Sequence, residues 1–192
     1  MVSHTHGLMA AVFLDRDGVI VVPQFRDRRS FAPRRLEDFR FYPEAAASVQ
    51  RLKRAGFLLV VVTNQPDVGN GLTPRSEVDA MHEIMMRELS LDAVKACFHG
   101  QADHCDCRKP KPGMILAAAL ELGIDLKKSF MVGDRNSDVE AGRAAGCTTV
   151  FIDLGYAEPA PDVPDYVVRS IAEAADLIIE TALERIPING EL

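Results

Sequence analysis

Residues 11–19 read Ala-Val-Phe-Leu-Asp-Arg-Asp-Gly-Val, a short apolar run that ends abruptly in two acids and a glycine. The four apolar residues Ala11–Leu14 predict a strand that is buried on both faces, as in a parallel sheet. Asp15 and Asp17 follow at a spacing that sends both side chains to the same side, and Gly18 permits a tight turn after them. Ligands of open parallel sheets bind beyond the carboxyl ends of the strands, so this stretch predicts both the fold class and the place of the site.

Short apolar runs and amphipathic stretches alternate along the rest of the chain, which is typical of a parallel sheet covered by helices. The predicted strands are Ala11–Leu14, Phe57–Val62, Ala93–Cys97, Phe130–Val132, Thr148–Ile152 and an edge strand, Tyr166–Val168. The predicted helices are Pro43–Ala55, Thr73 to about Leu89, Met114–Leu122, Asp138–Ala145 and a final helix that opens with a capping box at Ser170–Glu173. We therefore expect an α/β fold, a Rossmann-like doubly wound parallel sheet with helices on both faces.

The domain organisation follows from what the sequence lacks. No repeat, low-complexity tract or long linker divides the 192 residues, so we expect one domain over residues 1–192 with its core at about 9–182. The segments between the strands are too short for a separate cap domain, and loops should therefore shape an open pocket.

Charge and hydropathy exclude some functions. The chain has 22 Lys and Arg against 28 Asp and Glu, a net charge of −6, which argues against a partner that is nucleic acid or an anionic membrane. The longest apolar run, Phe57–Val62, is far shorter than the ~20 residues that span a bilayer. Met1–Gly7 lacks the Lys and Arg of a signal peptide. We expect a cytoplasmic protein that is monomeric or weakly homo-oligomeric.

Polar residues also follow the later strands, at the same edge of the predicted sheet. They are Thr63, Asn64, Arg108, Lys109, Asp134 and Asp138. Carboxylates are preferred ligands of Mg²⁺, whereas hydroxyl and ammonium groups bind phosphoryl oxygens. Together with Asp15 and Asp17, these side chains predict a site for a magnesium ion and a phosphoryl group.

Most of these residues belong to four short motifs, which resemble the motifs of the haloacid dehalogenase (HAD) phosphohydrolase superfamily and follow the same order. They are Asp15-Arg-Asp17-Gly-Val, Thr63-Asn, Lys109-Pro and Gly133-Asp134-x-x-x-Asp138. The resemblance spans roughly residues 11–152, which makes it more specific than any single motif. It implies an enzyme, a phosphoric monoester hydrolase with the HAD fold.

The resemblance implies a catalytic role for the two acids of the first motif. Asp15 would be the nucleophile that forms an aspartyl-phosphate, and Asp17 would act as general acid and then as general base. Mg²⁺ would bind to an Asp15 oxygen, the Asp17 backbone carbonyl and Asp134.

The same resemblance assigns the substrate side of the site. Thr63 and the Asn64 amide would hold the phosphoryl oxygens, and Lys109 would screen the charge between nucleophile and phosphate. Asp138 would position Lys109 without touching the substrate.

Four potential metal ligands of soft or borderline character lie in the sequence between the Thr63-Asn motif and the Lys109-Pro motif. The four ligands fall within eleven consecutive positions, at Cys97, His99, Cys105 and Cys107. This spacing can close a tetrahedron of ligands around Zn²⁺. Since all four ligand positions are filled, the predicted zinc site is structural. His104 is a competing ligand, whereas a disulfide between Cys105 and Cys107 would be strained; Cys147 stands apart as an ordinary buried thiol.

Cys-x-His…Cys-x-Cys-Arg-Lys-Pro resembles one branch of the superfamily, which contains phosphatases of heptose 1,7-bisphosphate and of histidinol phosphate. Val61-Val-Thr-Asn-Gln65 and Lys109-Pro-Lys-Pro-Gly113-Met114 resemble the heptose enzymes, whereas the short zinc loop and Gly133-Asp-Arg resemble the histidinol enzymes. Gln65-Pro66-Asp67 departs from the Gln-Ser-Gly that the heptose enzymes usually carry.

The resulting expectation is a Mg²⁺-dependent enzyme that removes the 7-phosphate of a D-glycero-D-manno-heptose 1,7-bisphosphate, with a small phosphorylated sugar or metabolite as its ligand. Histidinol-phosphate phosphatase, a DNA 3′-phosphatase and a non-catalytic zinc-stabilised binding module are the alternatives. Pro23–Arg40 adds six arginines, which we interpret as a solvated basic loop. Alternatively, some of them bind a second anionic group of the substrate together with Arg108.

Overall fold

The structure is a computed structural model that describes residues 8–26, 29–157 and 159–185. The strands are β1 (Ala11–Leu14), β2 (Gln24–Arg26), β3 (Arg29–Phe31), β4 (Leu58–Asn64), β5 (Ala93–Cys97), β6 (Phe130–Gly133), β7 (Thr148–Ile152) and β8 (Tyr166–Val168). The helices are α1 (Ala45–Arg54), α2 (Pro66–Gly69), α3 (Arg75–Leu89), α4 (Gly113–Leu122), α5 (Asn136–Ala145) and α6 (Ile171–Glu184). The expectations for Met1–Gly7, Arg28 and the outer ends of the predicted domain lie outside the described residues.

Six parallel strands form the central sheet in the order β5-β4-β1-β6-β7-β8. The chain builds outward from β1 through β4 to β5, then returns to the other side of β1 with β6. The neighbours of β1 therefore diverge at its carboxyl end, and this is the point at which open α/β sheets bind ligands. The prediction of a doubly wound parallel sheet is confirmed.

Alternation along β1 divides the core between the two faces of the sheet. Val12 and Leu14 pack with apolar residues of α1, α3 and α6, whereas Ala11 and Phe13 pack with those of α4 and α5. All four side chains are fully buried. Because successive side chains of a strand point to opposite faces, a strand covered by helices on both sides must be apolar throughout.

The predicted elements are all present, and several, such as Ala93–Cys97 and Thr148–Ile152, have the predicted bounds, whereas others have different ends. β4 begins one residue later than predicted and continues to Asn64, so that Thr63 and Asn64 belong to the strand. α1 begins at Ala45, after Pro43, and α5 begins at Asn136, before Asp138. In the described part of the chain, no helix has both the length and the apolar content that a membrane span requires.

The prediction of a solvated basic loop over Pro23–Arg40 is wrong for part of that segment. β2 and β3 form an antiparallel hairpin in which Gln24 pairs with Phe31, and Val22 and Arg40 join the base of the segment through a hydrogen bond of 2.9 Å. The hairpin escaped notice because three-residue strands are too short to show an alternating pattern. It lies beside the carboxyl end of β1 and contributes to the site.

Candidate active site

The loop after β1 places Asp15 at the centre of the sheet edge. The backbone N–H of Asp15 donates to the carbonyl of Val132 (2.9 Å), which continues the pairing of β1 with β6 beyond the end of the strand. The Asp15 side chain is largely buried but lines an open cleft of about 650 Å³. A rigid strand end therefore holds a carboxylate where a ligand can reach it.

Lys109 is a buried cation that joins three elements of the site. Its Nζ lies 2.8 Å from Asp15 Oδ1 and 2.6 Å from Asp138 Oδ1, and it donates to the Val62 carbonyl at 2.8 Å. Burial alone would lower the pKa of Lys109, but the carboxylates of Asp138 and Asp15 raise it above its ordinary value. The lysine is therefore a fixed positive charge beside Asp15.

Asn64 holds the backbone of Lys109 in place. Its Nδ2 donates to the Lys109 carbonyl at 3.0 Å, and its Oδ1 accepts from the Lys109 backbone N–H at 3.1 Å. Both polar atoms of the Asn64 side chain are engaged in this way. Any contact of Asn64 with a phosphoryl group thus falls to its backbone amide, and the side chain instead positions Lys109.

Asp134 is a buried carboxylate that forms no ion pair with any described residue, although the Tyr156 hydroxyl lies close by and opposes the rise of its pKa. Neither of its oxygens has a hydrogen-bond partner among those residues, and oxygen atoms of Asp15, Asp134 and Asp138 lie within 4.8 Å of one another. Burial, with further contributions from Asp15 and Asp138, raises the pKa of Asp134 well above its ordinary value. Lys109 supplies one positive charge against three carboxylates and pairs only with Asp15 and Asp138, so the site fits a further cation, a hard divalent metal ion, beside Asp134.

Asp138 is held by its neighbours rather than exposed to the cleft. Besides the contact with Lys109, its Oδ2 accepts the backbone N–H of Arg135 at 3.0 Å, at the start of α5. Burial raises the pKa of Asp138 to about 6, although Lys109 opposes the shift. This geometry agrees with the role in positioning Lys109 that the sequence suggested.

Asp17 is turned toward a different set of residues. Its carboxylate accepts from Arg16 Nε at 3.1 and 3.0 Å and from Gln65 Nε2 at 2.9 Å. The fully buried Arg16 also contacts His82 Nε2 from α3, at 3.2 Å. Sequence reasoning missed Arg16, Gln65 and His82; the first two stand inside recognised motifs, whereas nothing in the local sequence marks His82.

Thr63 is buried beside Gln65 at the end of β4, and Arg108 lines the cleft. Thr63 Oγ1 is buried and accepts from Gln65 Nε2 at 2.8 Å. Arg108 lines the cleft, and its buried Nη1 donates no hydrogen bond to any other residue that the structure describes. A buried guanidinium nitrogen without a partner is costly, which suits a residue whose partner is an anionic ligand.

The hairpin segment reaches the cleft at two points. Arg34 Nε donates to Asp67 Oδ2 at 2.7 Å, and Asp67 lies in the cleft wall at the start of α2. Arg135 Nη2 donates to the carbonyl and hydroxyl oxygens of Ser30, at 2.9 and 2.6 Å. The Arg-rich segment thus supplies part of the wall around the site.

The four predicted zinc ligands converge beside the end of β5. Cys97 Sγ lies 3.6 Å from Cys105 Sγ and 3.6 Å from His99 Nδ1, and Cys107 Sγ lies 3.5 Å from Cys105 Sγ and 3.3 Å from His99 Nδ1. Zn–S bonds of about 2.3 Å in a tetrahedron separate the sulfur atoms by about 3.8 Å. The spacing therefore fits a tetrahedral ion of this size.

The structure separates this cluster from the other candidate ligands. His104 is exposed, with a positive φ of 46°, and does not belong to the group of converging ligand atoms. Cys147 is buried elsewhere, in the core beneath α4 and α5. The backbone N–H of Gln65 donates to the carbonyl of Cys97 at 2.7 Å, so the cluster is tied to the cleft.

Comparison with known proteins agrees with this geometry. Residues 106–174 match a family model described as HAD-hydrolase-like. D-glycero-beta-D-manno-heptose-1,7-bisphosphate 7-phosphatase of Pasteurella multocida is 36% identical over 182 residues, which cover 88% of this chain and 96% of that protein. The enzyme of the same name from Rhodopseudomonas palustris is 40% identical over 148 residues, covering 71% of this chain and 79% of that protein.

A solved structure shares the fold. The crystal structure of D,D-heptose 1,7-bisphosphate phosphatase from B. bronchiseptica, complexed with magnesium and phosphate, superposes with a TM-score of 0.75 at 29% identity. It covers 91% of this chain and 100% of that chain. The chain belongs to the HAD family of phosphatases, in the group that contains these heptose bisphosphate enzymes.

Proposed function

We propose that this chain is a Mg²⁺-dependent phosphatase that removes the 7-phosphate of a D-glycero-D-manno-heptose 1,7-bisphosphate. The observation that carries this proposal is the buried Lys109 between Asp15 and Asp138, beside the carboxylate of Asp134, whose oxygen lies within 4.8 Å of theirs. The choice of substrate is supported by relatives of that name, which match this chain over most of its length.

Asp15 would attack the phosphorus atom of the ester. A bond forms between an Asp15 carboxylate oxygen and phosphorus, the bond to the sugar oxygen breaks, and an aspartyl-phosphate results. Lys109, 2.8 Å from Asp15 Oδ1, offsets the negative charge that builds up between carboxylate and phosphate. Thr63 and the Asn64 backbone amide would donate hydrogen bonds to the phosphoryl oxygens.

Asp17 would move the protons in both halves of the reaction. In the first half, a protonated Asp17 gives its proton to the leaving sugar alkoxide. In the second half, the resulting carboxylate takes a proton from the water that attacks the aspartyl-phosphate, and phosphate leaves. Asp17 lines the same cleft as Asp15 and Lys109, which supports this assignment.

The residues suited to hold Mg²⁺ are Asp15, Asp134 and the backbone carbonyl of Asp17. When bound, the ion supplies positive charge that reduces the repulsion between the Asp15 carboxylate and the substrate phosphate. The fit rests on the cluster of Asp15, Asp134 and Asp138 oxygens within 4.8 Å.

We propose further that Cys97, His99, Cys105 and Cys107 hold a structural Zn²⁺. Four protein ligands leave no position for water or substrate, which is the pattern of structural sites. Cys107 immediately precedes Arg108 and Lys109, so an ion bound here would restrain the segment that carries these two cations of the cleft.

The substrate's second phosphate would lie against Arg108, whose buried Nη1 has no partner in the described part of the chain. Asp67 lines the same cleft and forms an ion pair with Arg34. It stands in the stretch after the glutamine where heptose enzymes usually carry small residues. A negatively charged sugar fits this cleft for two reasons. The Nη1 of Arg108 is free to donate to a phosphate, and the Asp67 carboxylate is already paired with Arg34.

The test is phosphate release from a panel of heptose 1,7-bisphosphate, histidinol phosphate and a DNA 3′-phosphate, each with Mg²⁺. We expect the highest kcat/KM for the heptose bisphosphate. In Asp15→Asn this kcat/KM should fall by at least about 1,000-fold while the fold is retained. Asp162→Asn, an exposed acid far from the motifs in the sequence, is the matched control. Turnover retained in Asp15→Asn, or a clear preference for another ester, would contradict the proposal.

A further inference from the structure

Gln65 lies at the junction of two groups that the proposed reaction needs. It follows β4 directly, and only 2% of the residue is exposed. Its Oε1 accepts from Arg16 Nη2 at 2.9 Å, and its Nε2 donates to Asp17 Oδ2 at 2.9 Å and to Thr63 Oγ1 at 2.8 Å. All three hydrogen bonds are made by one carboxamide.

The orientation of the Gln65 carboxamide follows from the chemistry of its partners. A guanidinium can only donate, so the oxygen of the amide must face Arg16. The two N–H groups are then left for Asp17 and Thr63. Reversal of the amide would place two donors against Arg16 and an acceptor against a carboxylate, and it is therefore excluded.

We propose that Gln65 is a positioning residue that couples the proton-transferring Asp17 to the phosphate-binding Thr63. This inference rests on the proposed function, since it assigns Gln65 a part in the same reaction. Gln65 would hold the Asp17 carboxylate at a defined place in the cleft and would set the direction of the Thr63 hydroxyl.

The effect on Thr63 is a matter of donor and acceptor count. A threonine hydroxyl has one proton and two lone pairs. Because Gln65 donates to one lone pair, the Thr63 proton points elsewhere, and a phosphoryl oxygen in the cleft is the acceptor that the reaction supplies. Substrate phosphate would therefore meet a hydroxyl that is already oriented to donate.

Arg16, which contacts His82, restrains the side chain of Gln65. Burial, followed by the charge of Arg16, lowers the pKa of His82 to about 4, so the ring is neutral at pH 7. Arg16 is a donor only, and His82 Nε2 therefore accepts from its Nη1 at 3.2 Å. A fully buried arginine with all these partners has little freedom, which keeps the Gln65 oxygen facing it.

The experiment compares two substrates that differ in their need for a proton donor. A sugar alkoxide is a poor leaving group that requires protonation, whereas p-nitrophenolate leaves without it. In Gln65→Leu we expect the ratio of kcat/KM for heptose 1,7-bisphosphate to kcat/KM for p-nitrophenyl phosphate to fall about 10- to 100-fold. The inhibition constant of inorganic phosphate should rise about 3- to 10-fold, because Thr63 loses its fixed direction.

Gln50→Leu makes the same change on the exposed face of α1 and should alter neither quantity. If Gln65→Leu does not fold, Gln65→Glu provides the second test, since it keeps the shape and the acceptor toward Arg16 but has no donor when ionised. A folded Gln65 variant in which the ratio is unchanged, because kcat/KM either is retained on both substrates or falls equally on both, would overturn the inference and leave the proposed function intact. If the unaltered enzyme released phosphate from neither ester, both the inference and the proposed function would be overturned.

Discussion

Gly18 shows at the scale of one residue how closely the site is packed. Its φ is 95°, and a Cβ at this position would lie 2.0 Å from Asp134 Oδ2. Gly56, at the end of the loop after α1, has nearly the same φ of 93° but nothing within 4 Å of such an atom. The two glycines therefore share one backbone requirement, and only Gly18 has a second, steric one.

Replacement of each glycine by alanine separates these two requirements. Gly56→Ala should lower the free energy of unfolding by about 1–2 kcal/mol, because a left-handed backbone is strained for alanine, and Gly18→Ala should lower it further because its Cβ also clashes with Asp134. Only Gly18→Ala should also displace Asp134 and weaken Mg²⁺ binding, measured by calorimetric titration. Equal Mg²⁺ affinities in the two variants would show that the close approach to Asp134 has no functional weight.

At the scale of elements, two short segments shape the cleft from outside the main sheet. The β2–β3 hairpin contributes Ser30 as a partner of Arg135, and the loop between β5 and α4 carries the Cys/His cluster ahead of Lys109. Neither segment buries an apolar face of its own large enough to be stable alone. Their positions depend on hydrogen bonds, ion pairs and, for the second segment, the proposed zinc.

Loss of one sulfur ligand should therefore disturb the cleft at a distance. In Cys107→Ser we expect metal analysis to show less than the one zinc per chain of the unaltered protein, a lower melting temperature, and reduced phosphate release, since Lys109 is two residues away. Cys147→Ala, which removes the buried thiol outside the cluster, should keep its zinc. An unaltered protein purified without chelators but free of zinc would refute this prediction.

At the scale of the whole molecule, the topology gathers acids at one edge of the sheet. β1, β4 and β6 are adjacent, so Asp15, Thr63 and Asp134 meet although they lie far apart in the chain. The net charge of −6 thus includes carboxylates that are concentrated at the proposed Mg²⁺ site. The single-domain organisation, the cytoplasmic location and the monomeric or weakly homo-oligomeric state stay predictions.

This concentration of acids should make stability depend on pH when Mg²⁺ is absent. Because the pKa values of Asp134 and Asp138 are raised, the latter to about 6, these two groups bind more protons in the native state than in the unfolded state between about pH 4 and their folded values. The stability that they contribute falls as the pH rises through this range, whereas His82, whose pKa is lowered to about 4, acts in the opposite sense. His82 is the same in Asp134→Asn, so the melting temperature of zinc-loaded, Mg²⁺-free protein at pH 6, relative to that at pH 7.5, should be higher for the unaltered protein than for this variant.

Asp134→Asn tests the electrostatic cause directly. The variant should melt higher than Mg²⁺-free protein at pH 7.5, by roughly 2–4 °C if the repulsion costs about 1 kcal/mol. It should also show a smaller change with pH and no stabilisation by Mg²⁺. A melting temperature below that of the unaltered, Mg²⁺-free protein would mean that Asp134 stabilises the metal-free fold, contrary to the prediction.

Much of the architecture could be read from local patterns. The apolar runs of β1 and β4, and the glycines that follow α1, α4 and α5, predict the sheet and its helices because burial on both faces and helix ends leave local signatures. The hairpin could not be predicted in this way, since its strands have three residues each. Element ends also shifted, as for α5, which begins at Asn136, two residues before the predicted start at Asp138.

The sequence by itself determined which side chains stand at the strand ends, because strand pleat and parallel pairing place residues such as Asp15 and Asp134 at a common edge. Only the tertiary structure decided how those side chains are oriented. Asn64 binds the backbone of Lys109, 45 residues away, and Arg16 contacts His82, 66 residues away. Hydrogen-bond partners so distant in the chain leave no local pattern, since they are brought together only when the sheet and α3 have packed.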